Sequence, residues 1–128
     1  MKVEESTTEI EITTTEINDL IVDAIQDIKG QNIVKIDLSQ IEDAPANFFI
    51  ICEGESTTQV GAIASNISKR MKDELGMRNY HLEGMKESKW VLIDYFDTVV
   101  HVFYPETRAF YDIEDLWSDG QFTEYQDL

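Results

Sequence analysis

The run Phe48-Phe-Ile-Ile-Cys52 constrains this chain most, because five consecutive apolar residues leave a strand no polar side to show to water. Alternate strand residues point to opposite faces, so this segment reads as a central strand covered above and below. Just before it, Ile33-Val-Lys-Ile-Asp-Leu38 alternates and reads as a half-buried strand, with Glu42-Asp-Ala-Pro45 as the connecting loop. The layers must come from elsewhere in the chain.

Two helices are available. Ile17, Leu20, Ile21, Ala24, Ile25 and Ile28 recur at helical spacing and form one apolar stripe. Thr13 and Glu16 supply a capping box at its start, and Gly30 is expected to stop it in a left-handed conformation. A second stripe, Val60, Ile63, Ala64, Ile67 and Met71, follows a Ser56/Gln59 capping box. It ends at Gly76, with Lys69, Arg70 and Lys72 near the C-terminal end where positive charge suits the helix dipole. Three further strands are expected at about 78–83, 88–95 and 98–104, the last two as a hairpin across Phe96-Asp97. A short helical patch surrounds Ile113–Trp117.

The order α-β-β-α-β-β-β predicts an α/β (α+β) domain: a single mixed β-sheet of about five strands carrying two main helices. The Thr/Glu-rich residues 1–12 read as a flexible N-terminal tail, with a short edge strand over Glu9–Ile12 as the alternative. Residues 13–119 form the domain, and 120–128 read as a loose acidic C-terminal tail.

Two helices do not cover both faces of such a sheet. In the hairpin, Trp90, Leu92 and Asp94 share one face and Val91, Ile93 and Tyr95 the other. The surplus apolar face is expected to be exposed, and such patches mark partner sites, with Trp and Tyr as typical anchors.

Charge narrows the partner. The formal net charge is −16, and residues 105–128 carry one Arg against seven acids. A chain so acidic is repelled by phosphate backbones, so direct nucleic-acid binding is not expected. The start lacks a basic segment followed by an apolar core, and no apolar run approaches the roughly 18 residues of a membrane span, so a cytoplasmic protein is expected. The lone Cys52 permits no internal disulfide and reads as a small buried side chain.

Enzyme chemistry finds little support. Gly54-Glu-Ser56 could place amides around an anion at a helix start, but it reads more simply as a turn and cap. Asp94 and Asp97 could hold a metal pair for phosphoryl transfer, yet their spacing of three crosses a turn instead of following one strand face. His81 and His101 have no ligand-spaced partners for zinc. A hydrogen bond from His101 to Asp94 or Asp97 is a possible hairpin contact. No cofactor or metal is expected, and a metal-dependent nucleotidyltransferase using Ser56, Asp94 and Asp97 is the rival reading.

Three blocks in order, Trp90-Val-Leu-Ile-Asp-Tyr-Phe-Asp97 with Val99-Val-His-Val-Phe103, Arg108-Ala-Phe-Tyr111, and Leu116-Trp117, resemble the ribosomal silencing factor (Iojap-like) family. Phe48–Gly54, Ser56, Gln59-Val60 and Glu83-Gly84 fit it too, and the resemblance covers roughly residues 17–119. The chain departs where the family's usual turn glycine is Phe96, where a common acid is Asn47, and where a frequent arginine is Thr58. The resemblance implies a nucleotidyltransferase-like fold without catalytic acids. It implies a translational repressor that binds ribosomal protein number fourteen of the large subunit, blocks joining of the small subunit when nutrients are scarce, and forms homodimers when free. The residues expected to meet the partner are Trp90, Leu92, Asp94, Tyr95, Asp97, His101, Arg108 and Tyr111; for Arg108 the alternative is an internal pair with an acid that fixes the turn before Tyr111.

Overall fold

The computed structural model describes residues 11–128. The expected N-terminal tail and the alternative strand at Glu9–Ile12 lie mostly outside those residues; Glu11 and Ile12 belong to no helix or strand.

Helix α1 (Thr14–Asp27) starts on its capping box: the Thr13 hydroxyl accepts from Glu16 N–H at 3.1 Å and the Glu16 carboxylate accepts from Thr13 N–H at 3.0 Å. Its stop differs from expectation. The left-handed residue is Lys29 (φ 62°), whereas Gly30 is required by crowding, since a Cβ there would stand 2.3 Å from Ile25 Cγ2. Strands β1 (Gln31–Asp37) and β2 (Phe48–Glu53) follow, then α2 (Thr57–Leu75), which ends on left-handed Gly76 as expected. Ser56 caps α2 by accepting from Gln59 N–H at 3.1 Å. The Gln59 amide accepts from Glu55 N–H at 2.6 Å and donates to Ile28 O at 2.9 Å, tying the end of α1 to the start of α2.

The chain continues with β3 (His81–Glu83), β4 (Trp90–Asp94), β5 (Thr98–Phe103), α3 (Pro105–Tyr111), the single turn α4 (Ile113–Leu116) and β6 (Gln121–Glu124). One mixed sheet runs in the order β3-β4-β5-β2-β1-β6, with β2 parallel to β5 and every other neighbour antiparallel. The α+β class is as expected, with a sixth strand.

That strand corrects the C-terminal expectation. Instead of a loose tail, Gln121–Glu124 pairs with β1, from Val34↔Glu124 to Asp37↔Gln121. Its four residues are all exposed, so ladder hydrogen bonds, not apolar burial, hold it there. Tyr125 then packs against the helix-side core, and the Asp127 carboxylate accepts from Asn32 N–H at 3.0 Å.

The sheet has two unlike faces. On one, α1 and α2 bury Ile21, Ile25, Ile63, Ile67 and Met71 against Ile50, Cys52, Val91, Ile93 and Val102. Thr98 donates there to Asn18 at 2.7 Å, a satisfied buried polar pair. On the other, Val34, Ile36, Leu38, Phe49, Ile51, Val99, Phe103 and Ile113 form a thinner core. Ile41, Ala44, Ala46 and Trp117 cover part of it, while Trp90 and Leu92 at the β4 end are only partly buried. The surplus face exists, and it is narrowed to one end of the sheet.

Candidate partner-binding face

Strand β4 sorts its side chains by parity. Val91, Ile93 and Tyr95 are buried under the helices, and Trp90, Leu92 and Asp94 lie half-buried on the opposite face. Tyr95 is therefore corrected as a contact residue: it is 2% exposed and on the helix side. Burial raises its phenol pKa.

Trp90 sits in a line of rings. It lies 4.9 Å from Phe103 and 4.9 Å from Tyr111, which in turn lies 5.0 Å from Phe110. On the inner side, His101 touches Phe49 at 4.6 Å, and Phe49 reaches Trp117 at 6.0 Å. The indole Nε1–H donates to His101 Nδ1 at 3.1 Å. This replaces the anticipated His101 contact with Asp94 or Asp97. His101 stands opposite Leu92 on the neighbouring strand, and its ring meets Phe49, Trp90 and Phe103 in the aromatic row. Burial drives its pKa down to about 4, so the ring is neutral near pH 7. With Nδ1 accepting, the proton resides on Nε2, a buried atom with no hydrogen-bond partner. His101 thus orients Trp90 from beneath, and is itself 4% exposed.

Beside Trp90 lies a groove of about 440 Å³ lined by Gly84, Lys86, Glu87, Lys89, Trp90, Thr107 and Tyr111. Gly84 makes this shape possible. Its φ is 91°, and a Cβ would fall 2.0 Å from the Trp90 carbonyl oxygen. Ser88 N–H closes the loop onto Gly84 O at 2.8 Å, and Tyr104 N–H donates to Lys89 O at 2.8 Å. Phe110 (80% exposed) and Tyr111 (53%) extend the apolar surface beyond the groove.

Arg108 takes the internal pairing that was the alternative to a direct contact. Its guanidinium makes two bonds to the Glu114 carboxylate, at 2.8 and 3.1 Å, and reaches Glu53 at 3.0 Å and Asn32 O at 2.7 Å. Burial opposes its charge, but Glu114 and Glu53 outweigh that and raise its pKa. The side chain, only 12% exposed, fixes α3 over the sheet and so places Tyr111. Glu53 lies on a strand distant in sequence, so the pairing had no local signal.

Asp94 and Asp97 belong to the hairpin turn. The Asp94 carboxylate accepts from Phe96 N–H at 2.7 Å, and Asp97 O accepts from the Asn47 and Phe48 amides, each at 3.0 Å. Phe96 takes φ 76°, with Asp97 N–H bonded to Tyr95 O at 3.0 Å, a tight three-residue turn strained for any side chain. Among the described residues, no three His, Cys, Asp or Glu side chains gather as metal ligands, and Ser56 is engaged as a helix cap. No helix among them is long and apolar enough to cross a membrane.

The family model described as "Ribosomal silencing factor during starvation" matches residues 11–128. The chain belongs to the ribosomal silencing factor family. It is 40% identical over 111 residues to ribosomal silencing factor RsfS of Halalkalibacterium halodurans, covering 87% of this chain and 93% of that one. To the Bacillus subtilis protein of the same name it is 41% identical over 97 residues, 76% of this chain and 80% of the relative. A crystal structure of a Chromobacterium violaceum protein superposes with a TM-score of 0.80 at 37% identity, over 86% of this chain and 89% of that one. A ribosome-associated silencing role follows from the family. Phe110, Lys86 and Lys89 line or extend this face but were not among the expected contacts, although Phe110 lies in the block Arg108–Tyr111; the adjacent pair Phe110-Tyr111 was the available signal for the first.

Proposed function

We propose that this chain is a cytoplasmic translational repressor that docks on ribosomal protein number fourteen of the large subunit and blocks the small subunit by occupying its joining surface. The observation that carries this reading is the Trp90–Tyr111 pair, partly uncovered on a sheet face that the fold's own helices leave short of a full layer. A half-exposed Trp beside an exposed Tyr, with a groove at its edge, has the make-up of an interface anchor. The net charge of −16 favours a basic ribosomal protein over bare RNA and speeds encounter with it. Leu92 borders the anchor, and Asp94 and Asp97 lie toward the turn end of the same hairpin; His101 and Arg108 act from within, holding Trp90 and α3. In the free protein the same apolar face is covered by a second copy, which the ribosomal partner displaces.

Co-sedimentation with isolated large subunits tests the docking. The chain is expected to pellet with large subunits and not with small ones. Equal recovery with both, or with neither, overturns the reading. Sedimentation of the free protein as a monomer at every concentration overturns the dimer.

A further inference from the structure

The far end of the β4–β5 hairpin carries two large rings that the packing does not use. Tyr80 is 74% exposed and Phe96 69%, with centroids 5.7 Å apart and planes tilted by 57°. Phe96 is held in the left-handed region at φ 76°, where a side chain is disfavoured. Three hydrogen bonds keep it there: Phe96 N–H to Asp94, Asp97 N–H to Tyr95 O, and Tyr95 N–H to Thr98 O at 2.8 Å. An exposed aromatic ring at a backbone position that opposes any side chain is an outlier from which function can be argued.

Charge says which function. Asp94 and Asp97 stand on either side of Phe96 in the turn sequence, and neither forms a salt bridge among the described residues. The Asp94 carboxylate uses one oxygen on Phe96 N–H, and among the described residues the Asp97 carboxylate has one long contact, 3.5 Å from the Asn47 amide. The cation over a ring among the described residues is Lys35, 5.6 Å from the Phe48 centroid, so neither Tyr80 nor Phe96 holds one. Ring faces attract cations, and adjacent carboxylates accept their N–H groups.

We propose that Tyr80, Phe96, Asp94 and Asp97 form a receptor for one lysine or arginine side chain of a basic protein partner. That the partner is a large-subunit ribosomal protein rests on the function proposed above; the receptor itself does not. Phe96 lies six positions beyond Trp90, in the turn past the end of β4, at most about 20 Å away at the rise of a strand. The hairpin would then touch its partner at two separated points, an apolar anchor at one end and a cation at the other, which fixes orientation as well as affinity.

Two measurements test this. First, a lysine-rich peptide is titrated at low salt while the aromatic ring resonances are followed by NMR. Tyr80 and Phe96 are expected to shift ahead of Phe110, an equally exposed ring, and Asp97→Asn is expected to weaken the response; equal shifts at Phe110 overturn the receptor. Second, Phe96→Gly relieves the backbone while removing the ring. It is expected to keep or raise the Tm yet bind large subunits about three- to tenfold more weakly, with Phe96→Trp retaining affinity. Parental affinity in Phe96→Gly overturns the receptor even if Trp90→Ala abolishes binding, in which case the docking face stands. If the parent chain does not bind large subunits at all, the peptide titration alone decides, and only the identity of the partner falls.

Discussion

Trp90 and His101 are joined across neighbouring strands by one hydrogen bond of 3.1 Å, the indole donating and the neutral imidazole accepting. The bond makes the aspect of the candidate partner-binding face depend on a ring that is itself buried. A histidine in the unfolded chain titrates near 6.5, whereas His101 is lowered to about 4 by burial.

The unfolded chain therefore binds the proton more readily between those values. The stability His101 contributes is fully present above about 6.5 and is lost progressively as pH falls toward 4, amounting to about 3 kcal/mol over the window. Urea titrations across this range are expected to show that slope. His101→Phe should flatten it while losing about 1 kcal/mol at neutral pH for the unpaired indole. An unchanged slope in the variant would assign the pH dependence to other groups.

Phe96→Gly should stabilise the fold. A left-handed non-glycine residue costs about 1–2 kcal/mol, and glycine returns about 0.5–1 kcal/mol of that through chain entropy. The net gain is about 0.5–1 kcal/mol, read as a higher urea midpoint with an unchanged slope. A lower midpoint would mean that the Tyr80 contact outweighs the backbone strain.

Arg108→Met should destabilise by about 3 kcal/mol, because Glu53 and Glu114 then remain partly buried without their counter-charge. Arg108→Lys should recover only part of this, since an ammonium cannot make the two parallel bonds to Glu114. Chemical denaturation of the three proteins checks both statements. Parental stability in Arg108→Met would remove Arg108 from its structural role.

Truncation after Gly120 removes β6 and leaves the β1 edge bare. Amide exchange at Val34–Asp37 should rise sharply, and the truncated chain should associate in a concentration-dependent way. Unchanged protection at these amides would show that the strand adds nothing to the sheet.

Much of the fold was legible because it rests on periodicity. The α1 and α2 stripes, the continuous β2 run and the parity of β4 are each dictated by which side chains must leave water. What escaped depended on contacts without local signature. Gln121–Glu124 is polar and exposed, held by β1's hydrogen bonds, so its composition looked like a tail. Arg108 meets Glu53 across 55 positions. Lys29 takes the left-handed turn expected of Gly30 because the glycine is needed for the close approach to Ile25. At the candidate site, the sequence marked Trp90 as an expected anchor and Tyr111 as an expected contact, and the structure brings the two rings together; that His101 supports Trp90 became visible only from the pairing of β4 with β5.

Subunit joining followed by light scattering decides the mechanism. Large subunits preincubated with saturating protein should join small subunits far more slowly, while Trp90→Ala, losing about 2 kcal/mol or more of docking energy, should need at least about thirtyfold more protein for the same block. Joining at the normal rate on fully loaded large subunits would contradict occlusion.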